Sequence, residues 1–177
     1  MYNVVSEYWE QNLEVVFVAN GEFQKYFKNI ANFHQINNRV AICDFDEQLA
    51  RLAYGASDFV LMPSLFEPCG LPQMIGPIYG SLPVARDTGG IHDTVTNINT
   101  NKNAGNGFLF KTFDSQGLLW GIMQAMEFYS LPQELKGKQI ERIMTQSATT
   151  FNHSVTAREY IDLYERMLQR PLVNSHA

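Results

Sequence analysis

The sequence predicts a three-layer α/β fold, in which a parallel sheet is covered by helices on both faces. Short apolar runs rich in β-branched residues alternate with longer segments of helical period, which is typical of parallel strands joined by crossover helices. Each run is apolar on both faces, as a sheet that meets no water requires. Five strands are predicted, at residues 14–19, 39–43, 58–62, 82–85 and 107–110.

Seven helices are predicted, and the last three follow one another so closely that the chain is expected to end in a helical tail. Their ranges are 2–11, 22–34, 46–55, 71–79, 114–129, 132–149 and 154–169. Asp114 and Ser115 can cap the helix that follows them. Its core stripe is predicted to be Leu118, Leu119, Ile122 and Met126. Pro77 should kink its helix or end it early, and the Asn/Gly-rich segment 96–107 should be an exposed loop.

Length, charge and cysteine content restrict the class of protein. A chain of 177 residues can bury one sizeable core, so we expect a single domain, with a sheet portion at 1–111 and the helical tail at 112–177. A net charge of -5 argues against nucleic acid as a partner. Without a spanning apolar run or a signal peptide, we expect no membrane partner and a cytoplasmic location.

No metal site or disulfide framework is expected. The two cysteines, Cys43 and Cys69, have no zinc spacing, and Cys43 is expected to be a small buried hydrophobe. The four histidines, His34, His92, His153 and His176, have no partner at metal-ligand spacing and are assigned to surface or structural roles.

Three loops of unusual composition are candidates for a ligand-binding or catalytic site. In open parallel sheets, ligands bind at the carboxyl ends of the strands, where loops lead into helix N-termini. The loops begin "DFDEQL" at Asp44, "PSLFEPCGLPQ" at Pro63 and "RDTGGIHDTV" at Arg86. All three should open on the same edge of the sheet.

The "TGG" of Thr88, Gly89 and Gly90 suits a phosphate or diphosphate. Its glycines let backbone approach a ligand closely, and a helix beginning near Ile91 would aim its amides outward. The alternative is a tight turn with a threonine cap.

The "FEPCGLPQ" segment places one carboxylate beside several backbone donors. Pro68 and Pro72 stiffen the turn and begin a helix, while Gly70 permits a positive backbone angle. Glu67 beside the amides of Cys69, Gly70 and Leu71 would suit a sugar. The alternative role of Glu67 is helix capping.

Phe45 could offer a ring face to a base from the remaining loop. A lone aromatic residue at a strand end can instead belong to the core.

The run from Tyr54 to Val95 resembles the C-terminal domain of bacterial glycogen synthases and plant starch synthases. The motifs "PS-x-FEPCGL" and "P-V-x-x-x-TGG-x-x-DTV" occur in that family's order and at its distance. The resemblance is closest over 54–95 and continues more weakly to about residue 169. It implies the Rossmann-like C-terminal half of a GT-B fold.

The resemblance implies a role for each motif residue. Glu67 matches the active-site glutamate that faces the donor glucose. The residues whose amides hold that glucose match Cys69, Gly70 and Leu71. The residues that contact the nucleotide diphosphate match Thr88, Gly89 and Gly90. Phe45 falls where the family has an aromatic against the adenine.

The implied enzyme is a retaining glucosyltransferase. Glucose would pass from ADP-glucose, or UDP-glucose, to the 4-OH end of an α-1,4-glucan, without a metal or other cofactor. Such chemistry stabilises a departing diphosphate mainly by positioned charge and amides.

The chain departs from the family's pattern at several places. Leu65 replaces the arginine of "PSRFEPCGL", and Ile75 stands where many related transferases carry a second glutamate, although glycogen synthases lack that glutamate too. The acceptor-side N-terminal domain and the first strand of the usual domain, with an arginine and a lysine for the diphosphate, have no counterpart here.

The missing strand leads to a structural hypothesis. In the usual strand order 3-2-1-4-5-6 that strand is central, and inner sheet edges are not left unpaired. The flanking strands, 14–19 and 58–62, should therefore pair directly, or another copy should fill the gap.

Three functions follow as alternatives, and the last of them is a different nucleotide-sugar transferase of the same fold, since ADP and UDP differ mainly in what meets the base. The first is the nucleotide-sugar-binding half of the enzyme, inactive by itself and prone to self-association through Tyr160, Leu163, Tyr164 and Met167. The second is a stand-alone, catalytically dead domain that binds a nucleotide, a glucan or a partner.

Overall fold

The computed structural model describes Tyr8 and residues 10–172. The helix predicted at 2–11 lies almost wholly outside the described residues, although Tyr8 and Glu10 are both helical. The remaining predicted elements all lie within the described part of the chain.

All five predicted strands are present, and every pairing between them is parallel. They are β1 (Val15–Val18), β2 (Val40–Cys43), β3 (Phe59–Met62), β4 (Leu82–Arg86) and β5 (Phe108–Phe110). In register, Val15 lies opposite Val40, and Phe59 lies opposite Leu82. The predicted alternation of strands and helices is confirmed.

The predicted helices that lie within the described part are present, with ends within one or two residues of the prediction. They are α1 (Gln24–Phe33), α2 (Glu47–Ala56), α3 (Pro72–Ile78), α5 (Ser115–Tyr129), α6 (Gln133–Thr150) and α7 (His153–Leu168). The helix predicted to begin near Ile91 is α4 (Gly90–Thr94). A short 3₁₀ helix, Thr100–Lys102, interrupts the predicted loop at 96–107. The successive helices α5, α6 and α7 confirm the predicted helical tail.

The strands form two sheets rather than one, with orders β1-β2 and β3-β4-β5. The break lies between β1 and β3, where the strand order predicted from the resemblance places the missing first strand. The expectation that these strands pair directly is wrong. The alternative, that another copy fills the gap, stays a prediction.

An apolar cavity of about 70 Å³ lies at this break. Its wall includes Val15 and Phe17 of β1, Leu61 of β3, and Leu118 and Ile122 of α5. Side chains from both sheets and from α5 thus line this cavity. A space of this kind has no polar wall group to hold water firmly.

The best-buried part of the core surrounds β4. Leu82, Val84 and Ala85 are at most 2% exposed, and α5 and α6 supply Phe128 and Ile143 to the same region. Full burial of every strand, which the apolar runs predicted, is wrong outside this region. Val16 of β1 is 58% exposed, because this edge sheet has fewer elements packed on it.

Local signals position the helices as the sequence predicts. Asp114 caps α5, since its carboxylate accepts a 2.7 Å hydrogen bond from the amide of Gly117. Pro72 is the first residue of α3, and the helix ends one residue after Pro77, which confirms the predicted early end.

Helix α7 lies on the surface. It has no buried residue, and the predicted apolar face is 41–70% exposed, at Tyr160, Leu163, Tyr164 and Met167. No helix in the described part of the chain is long and apolar enough to cross a membrane.

Candidate functional site

The loop between β3 and α3 carries the "FEPCGL" residues. Gly70 has φ +78°, which a side chain would disfavour. A Cβ at this position would also lie 2.7 Å from Nε2 of Gln73. Gly70 therefore confirms the predicted positive backbone angle, and Pro72 begins the helix as predicted.

Three successive amides of this loop have no acceptor among the described residues. They belong to Cys69, Gly70 and Leu71, and all three precede the first turn of α3. Cys69 and Leu71 are exposed, and Gly70 is partly buried. An exposed row of free N–H groups can donate to the oxygens of a ligand. The three amides are thus free to donate, and their predicted role in holding a sugar stays a prediction.

Glu67 lies partly buried at the centre of the loop. Its Oε2 accepts a long hydrogen bond of 3.4 Å from the hydroxyl of Ser64, and no cation pairs with it within the described chain. A carboxylate with one weak partner remains able to accept hydrogen bonds from a ligand. Helix capping, the alternative role, is not observed, because no side chain caps α3.

The "TGG" segment packs directly against this loop. The amide of Gly90 donates to the carbonyl oxygen of Glu67 at 2.9 Å. A Cβ on Gly89 would lie 2.9 Å from the carbonyl carbon of Glu67, and one on Gly90 would lie 2.7 Å from Cα of Cys69. Both glycines are thus needed for contact between the two loops, a reason that the sequence analysis did not give.

The contact between the two loops also uses one of the amides predicted to donate hydrogen bonds to a diphosphate. The amide of Gly90 is occupied by Glu67, whereas those of Thr88 and Gly89 have no acceptor among the described residues. The Thr88 hydroxyl is likewise unpaired there. Thr88 and Gly89 therefore keep free amides, whereas Gly90 does not, and the diphosphate contact of this segment stays a prediction.

His92 and Asp87 form an ion pair at the start of α4. The ring Nδ1 of His92 lies 2.6 Å from Oδ1 of Asp87. This hydrogen bond, with the negative charge of Asp87, raises the pKa of His92. The imidazole of His92 therefore lies beside the "TGG" segment, held by Asp87.

Arg86 is a site residue that the sequence analysis missed. It is the last residue of β4, and its guanidinium donates to the backbone oxygens of Ser64 and Leu65 and lies 5.2 Å from the ring centre of Phe113. The segment that lacks the family's arginine at Leu65 thus has a cation from the neighbouring strand. The position of Arg86 directly after "LPVA" was the available signal.

Gln73 is the second residue that was missed. It is fully buried, and its Nε2 lies 2.8 Å from the carbonyl oxygen of Cys69, 3.1 Å from that of Gly70 and 3.3 Å from Oγ1 of Thr94. It therefore ties the amide loop to α4. No sequence signal distinguishes it, because a glutamine in the first turn of a helix is ordinarily exposed.

Phe45 lies apart from these loops. It is 56% exposed at the carboxyl end of β2, and its amide donates to Oδ1 of Asn20 at 2.9 Å. The core alternative is thereby excluded. No hydrogen bond or ring contact joins it to the loops of Glu67 or Gly89 in the described chain, and its role against a base stays a prediction.

No group of three or more metal-ligating side chains occurs in the part of the chain that the structure describes. Cys43 is partly buried and Cys69 exposed, and both are free thiols.

Residues 3–142 match the family model described as glycosyl transferases group 1. The chain belongs to this family. The matched range contains all five strands and both loops of the candidate site. The glycosyltransferase family that the motifs predicted is therefore confirmed.

This group 1 glycosyltransferase chain is similar to curated glycogen synthases. It is 35% identical over 170 residues to the glycogen synthase of Bacillus cytotoxicus, covering 94% of this chain and 34% of that protein. It is 39% identical over 163 residues to that of Natranaerobius thermophilus, covering 90% of this chain and 32% of the relative. The chain thus spans about a third of the length of these relatives.

The chain is also similar to solved structures of glycosyltransferases. The catalytic domain of starch synthase IV from Arabidopsis thaliana, bound to ADP and acarbose, matches with a TM-score of 0.80 and 32% identity over 96% of this chain and 35% of that one. A glycosyltransferase from Rickettsia africae matches with a TM-score of 0.75 over 94% of this chain and 43% of that one; at 19% identity it supports the fold alone. This group 1 glycosyltransferase chain is thus similar in sequence and fold to about a third of the length of glycogen and starch synthases.

Proposed function

We propose that this chain is the nucleotide-sugar-binding half of a retaining glucosyltransferase, which transfers glucose from ADP-glucose to the 4-OH end of an α-1,4-glucan. The observation that carries the proposal is the contact between the two loops. It places Glu67, the free amides of Cys69 to Leu71 and those of Thr88 and Gly89 in one surface. The similarity to a starch synthase bound to ADP and acarbose supports ADP over UDP.

Each group has a task in this reaction. The bond between the sugar C1 and the diphosphate oxygen breaks, and its electron pair leaves with the diphosphate. The acceptor O4 forms a bond to C1 on the same face, and its proton passes to the departing phosphate. Amides of Thr88 and Gly89 stabilise the growing negative charge.

Glu67 and the amides before α3 orient the glucose. A carboxylate accepts hydrogen bonds from sugar hydroxyls, while the amides of Cys69, Gly70 and Leu71 donate to their oxygens. Together they fix the ring so that C1 faces the acceptor. The negative charge of Glu67 also favours the positive charge that the sugar ring develops.

The proposal includes no metal and no cofactor, because side-chain cations of the family's type would neutralise the diphosphate together with the amides of Thr88 and Gly89. It places the protein in the cytoplasm, with the nucleotide sugar and the glucan as its partners. The glucan would bind mainly to an acceptor-side N-terminal domain like that of glycogen synthases.

Calorimetry tests the proposed donor. ADP should bind the chain more tightly than UDP, and Glu67→Gln should weaken binding of ADP-glucose while leaving that of ADP unchanged. Equal binding of ADP and UDP would contradict the proposed donor. Binding of neither nucleotide would contradict the proposal as a whole.

A turnover assay tests the statement that the chain is half of an enzyme. Residues 1–177 with ADP-glucose and a glucan primer should release no ADP above background. Appreciable turnover would show that the family's acceptor domain is dispensable, together with the arginine and the lysine of its first strand.

A further inference from the structure

Arg86 presents one unpaired edge of its guanidinium group at the carboxyl end of β4. Its Nη1 donates to the backbone oxygens of Ser64 and Leu65. Its Nε is buried without a hydrogen-bond partner, and Nη2 has none among the described residues either. Nε and Nη2 lie on the same edge of the planar group, so their N–H bonds form a fork that can donate to two oxygens side by side.

The charge of Arg86 also lacks a counter-ion. No carboxylate of the described chain lies within ion-pair distance of its guanidinium group. The neighbouring Asp87 pairs with His92 instead, at 2.6 Å. A partly buried charge without a partner costs free energy, so an anion bound at the fork would offset that cost.

Packing holds the fork in place. The guanidinium carbon of Arg86 lies 5.2 Å from the centre of the Phe113 ring, and stacking of this kind uses the face of the group rather than its edges. The opposite edge is fixed by the backbone oxygens of Ser64 and Leu65. A side chain that is already fixed loses little conformational freedom when it binds a ligand.

The fork fits an oxyanion with several oxygens. Arginine binds carboxylates and phosphates through two parallel N–H···O bonds. The fork would use both oxygens of a carboxylate, whereas a phosphate has further oxygens for the free amides of Thr88 and Gly89 in the loop that follows Arg86. We infer that Arg86 binds a phosphate group through Nε and Nη2.

Two sources can supply this phosphate group. The first is the diphosphate of the nucleotide sugar, in which case Arg86 stabilises the leaving group; this source rests on the proposed function. The second is free phosphate that binds independently of the nucleotide. The anion site itself depends on neither choice.

NMR of the arginine Nε–H groups tests the site, with inorganic phosphate and ADP as probes. In the chain of 177 residues at constant ionic strength, at least one probe should shift the Nε–H signal of Arg86, which is identified by its loss in Arg86→Lys. The Nε–H of Arg142 is the internal control and should not move, because it already donates to Oε1 of Gln139 at 3.2 Å. No shift at Arg86 with either probe, or an equal shift at Arg142, would overturn the inference.

Calorimetry measures the affinity for the probe that shifts the signal. Arg86→Gln should weaken its binding at least about tenfold, since two hydrogen bonds to a charged group are lost. Arg86→Lys keeps the charge and a donor for the carbonyl oxygen of Leu65 but has no fork; it should also lose affinity, and it decides the matter if Arg86→Gln fails to fold. Arg158→Gln, at an exposed position of α7, is the matched control. Full affinity in Arg86→Lys, or an equal loss in Arg158→Gln, would contradict the inference.

The same measurements distinguish the two sources. If the diphosphate occupies the fork, Arg86→Gln weakens binding of ADP but not of adenosine, and phosphate no longer shifts the Arg86 signal once ADP saturates the chain. If free phosphate occupies the fork, Arg86→Gln binds ADP as the unmodified chain does, and phosphate shifts the signal with ADP present.

The two proposals fail separately. If neither ADP nor ADP-glucose binds but phosphate shifts the Arg86 signal, the anion site stands and the proposed function falls. If ADP binds the unmodified chain and Arg86→Lys equally and neither probe shifts the signal, the reverse holds.

Discussion

The amide of Gly90 donates a 2.9 Å hydrogen bond to the carbonyl oxygen of Glu67. Through this bond the loop after β3 and the loop after β4 act as a single surface. Gly89 has φ +49°, and it packs on the carbonyl group of Glu67. The presentation of the carboxylate therefore depends on backbone contacts as well as on its own side chain.

Gly89→Ala should destabilise the chain and abolish ADP binding. The positive φ alone costs roughly 1–3 kcal/mol for a residue with a Cβ, and the new methyl group would collide with the Glu67 carbonyl group. Chemical denaturation measures the free energy of unfolding, and calorimetry measures the binding.

Gly137→Ala is the control for this change. Gly137 lies inside α6, and a Cβ on it would meet nothing within 4 Å, so alanine should be neutral or should stabilise the helix by up to about 1 kcal/mol. Similar stability losses in both variants would contradict the argument.

Gln73→Leu should loosen the amide loop. Its Nε2 donates to the carbonyl oxygens of Cys69 and Gly70 and to Oγ1 of Thr94, so the change leaves partly buried oxygens without this donor, at a cost of about 1–3 kcal/mol. ADP-glucose binding should weaken more than ADP binding, because the sugar-binding amides move. Thermal unfolding and calorimetry provide the two readouts.

Gln133→Leu is the matched control for Gln73→Leu. Gln133 is an exposed residue of α6, so its replacement should change neither thermal stability nor binding. A Gln73→Leu variant that binds ADP-glucose as the unmodified chain does would show that the loop keeps its shape without the amide.

Local sequence signals account for most of the fold. Apolar runs place the strands, Asp114 places the start of α5 through its cap, and Pro77 places the end of α3. These signals act over a few residues, so they can be interpreted from a single sequence. The motif residues Glu67 and Gly89 were found in the same way.

Contacts between distant segments could not be predicted from local pattern. Gln73 and Arg86 form hydrogen bonds with partners up to 22 positions away. The residues next to each of them in the sequence give no sign of these partners. The split between β1 and β3 is likewise invisible in the local sequence, since each strand by itself has a normal apolar sequence. The resemblance indicated where the break falls but not how the chain responds to it.

Phe45→Ala should weaken ADP binding without changing stability. The ring is 56% exposed, so its removal costs little in folding, whereas stacking on a base is worth about 1–3 kcal/mol. Phe33→Ala, at an 83% exposed phenylalanine of α1, is the matched control and should leave binding unchanged. Equal ADP affinity in the two variants would remove Phe45 from the site.

His92 should titrate above the ordinary histidine pKa of about 6.5. The hydrogen bond and charge of Asp87 raise its pKa, with a smaller contribution from the charge of Asp93. The stabilisation from this pair is fully present below the unfolded pKa and is lost as pH rises through the folded one.

NMR titration of the His92 ring measures this pKa directly. Asp87→Asn should return it towards about 6.5, while Asp93→Asn should lower it less, because Asp93 makes no hydrogen bond to the ring. An unchanged pKa in Asp87→Asn would show that the ion pair does not form in solution.

Helix α7 should promote self-association of the chain. Leu163 and Met167 are 41% and 70% exposed on a helix with no buried residue, and exposed apolar area of this kind favours contact with another copy. Sedimentation velocity should show a sedimentation coefficient that rises with protein concentration. Leu163→Glu should abolish the rise, because a charge in the contact cannot be buried without a partner. Thr156→Glu, at an exposed position of the same helix, should leave the rise intact. A chain that stays monomeric at every concentration would show that α7 does not form this contact.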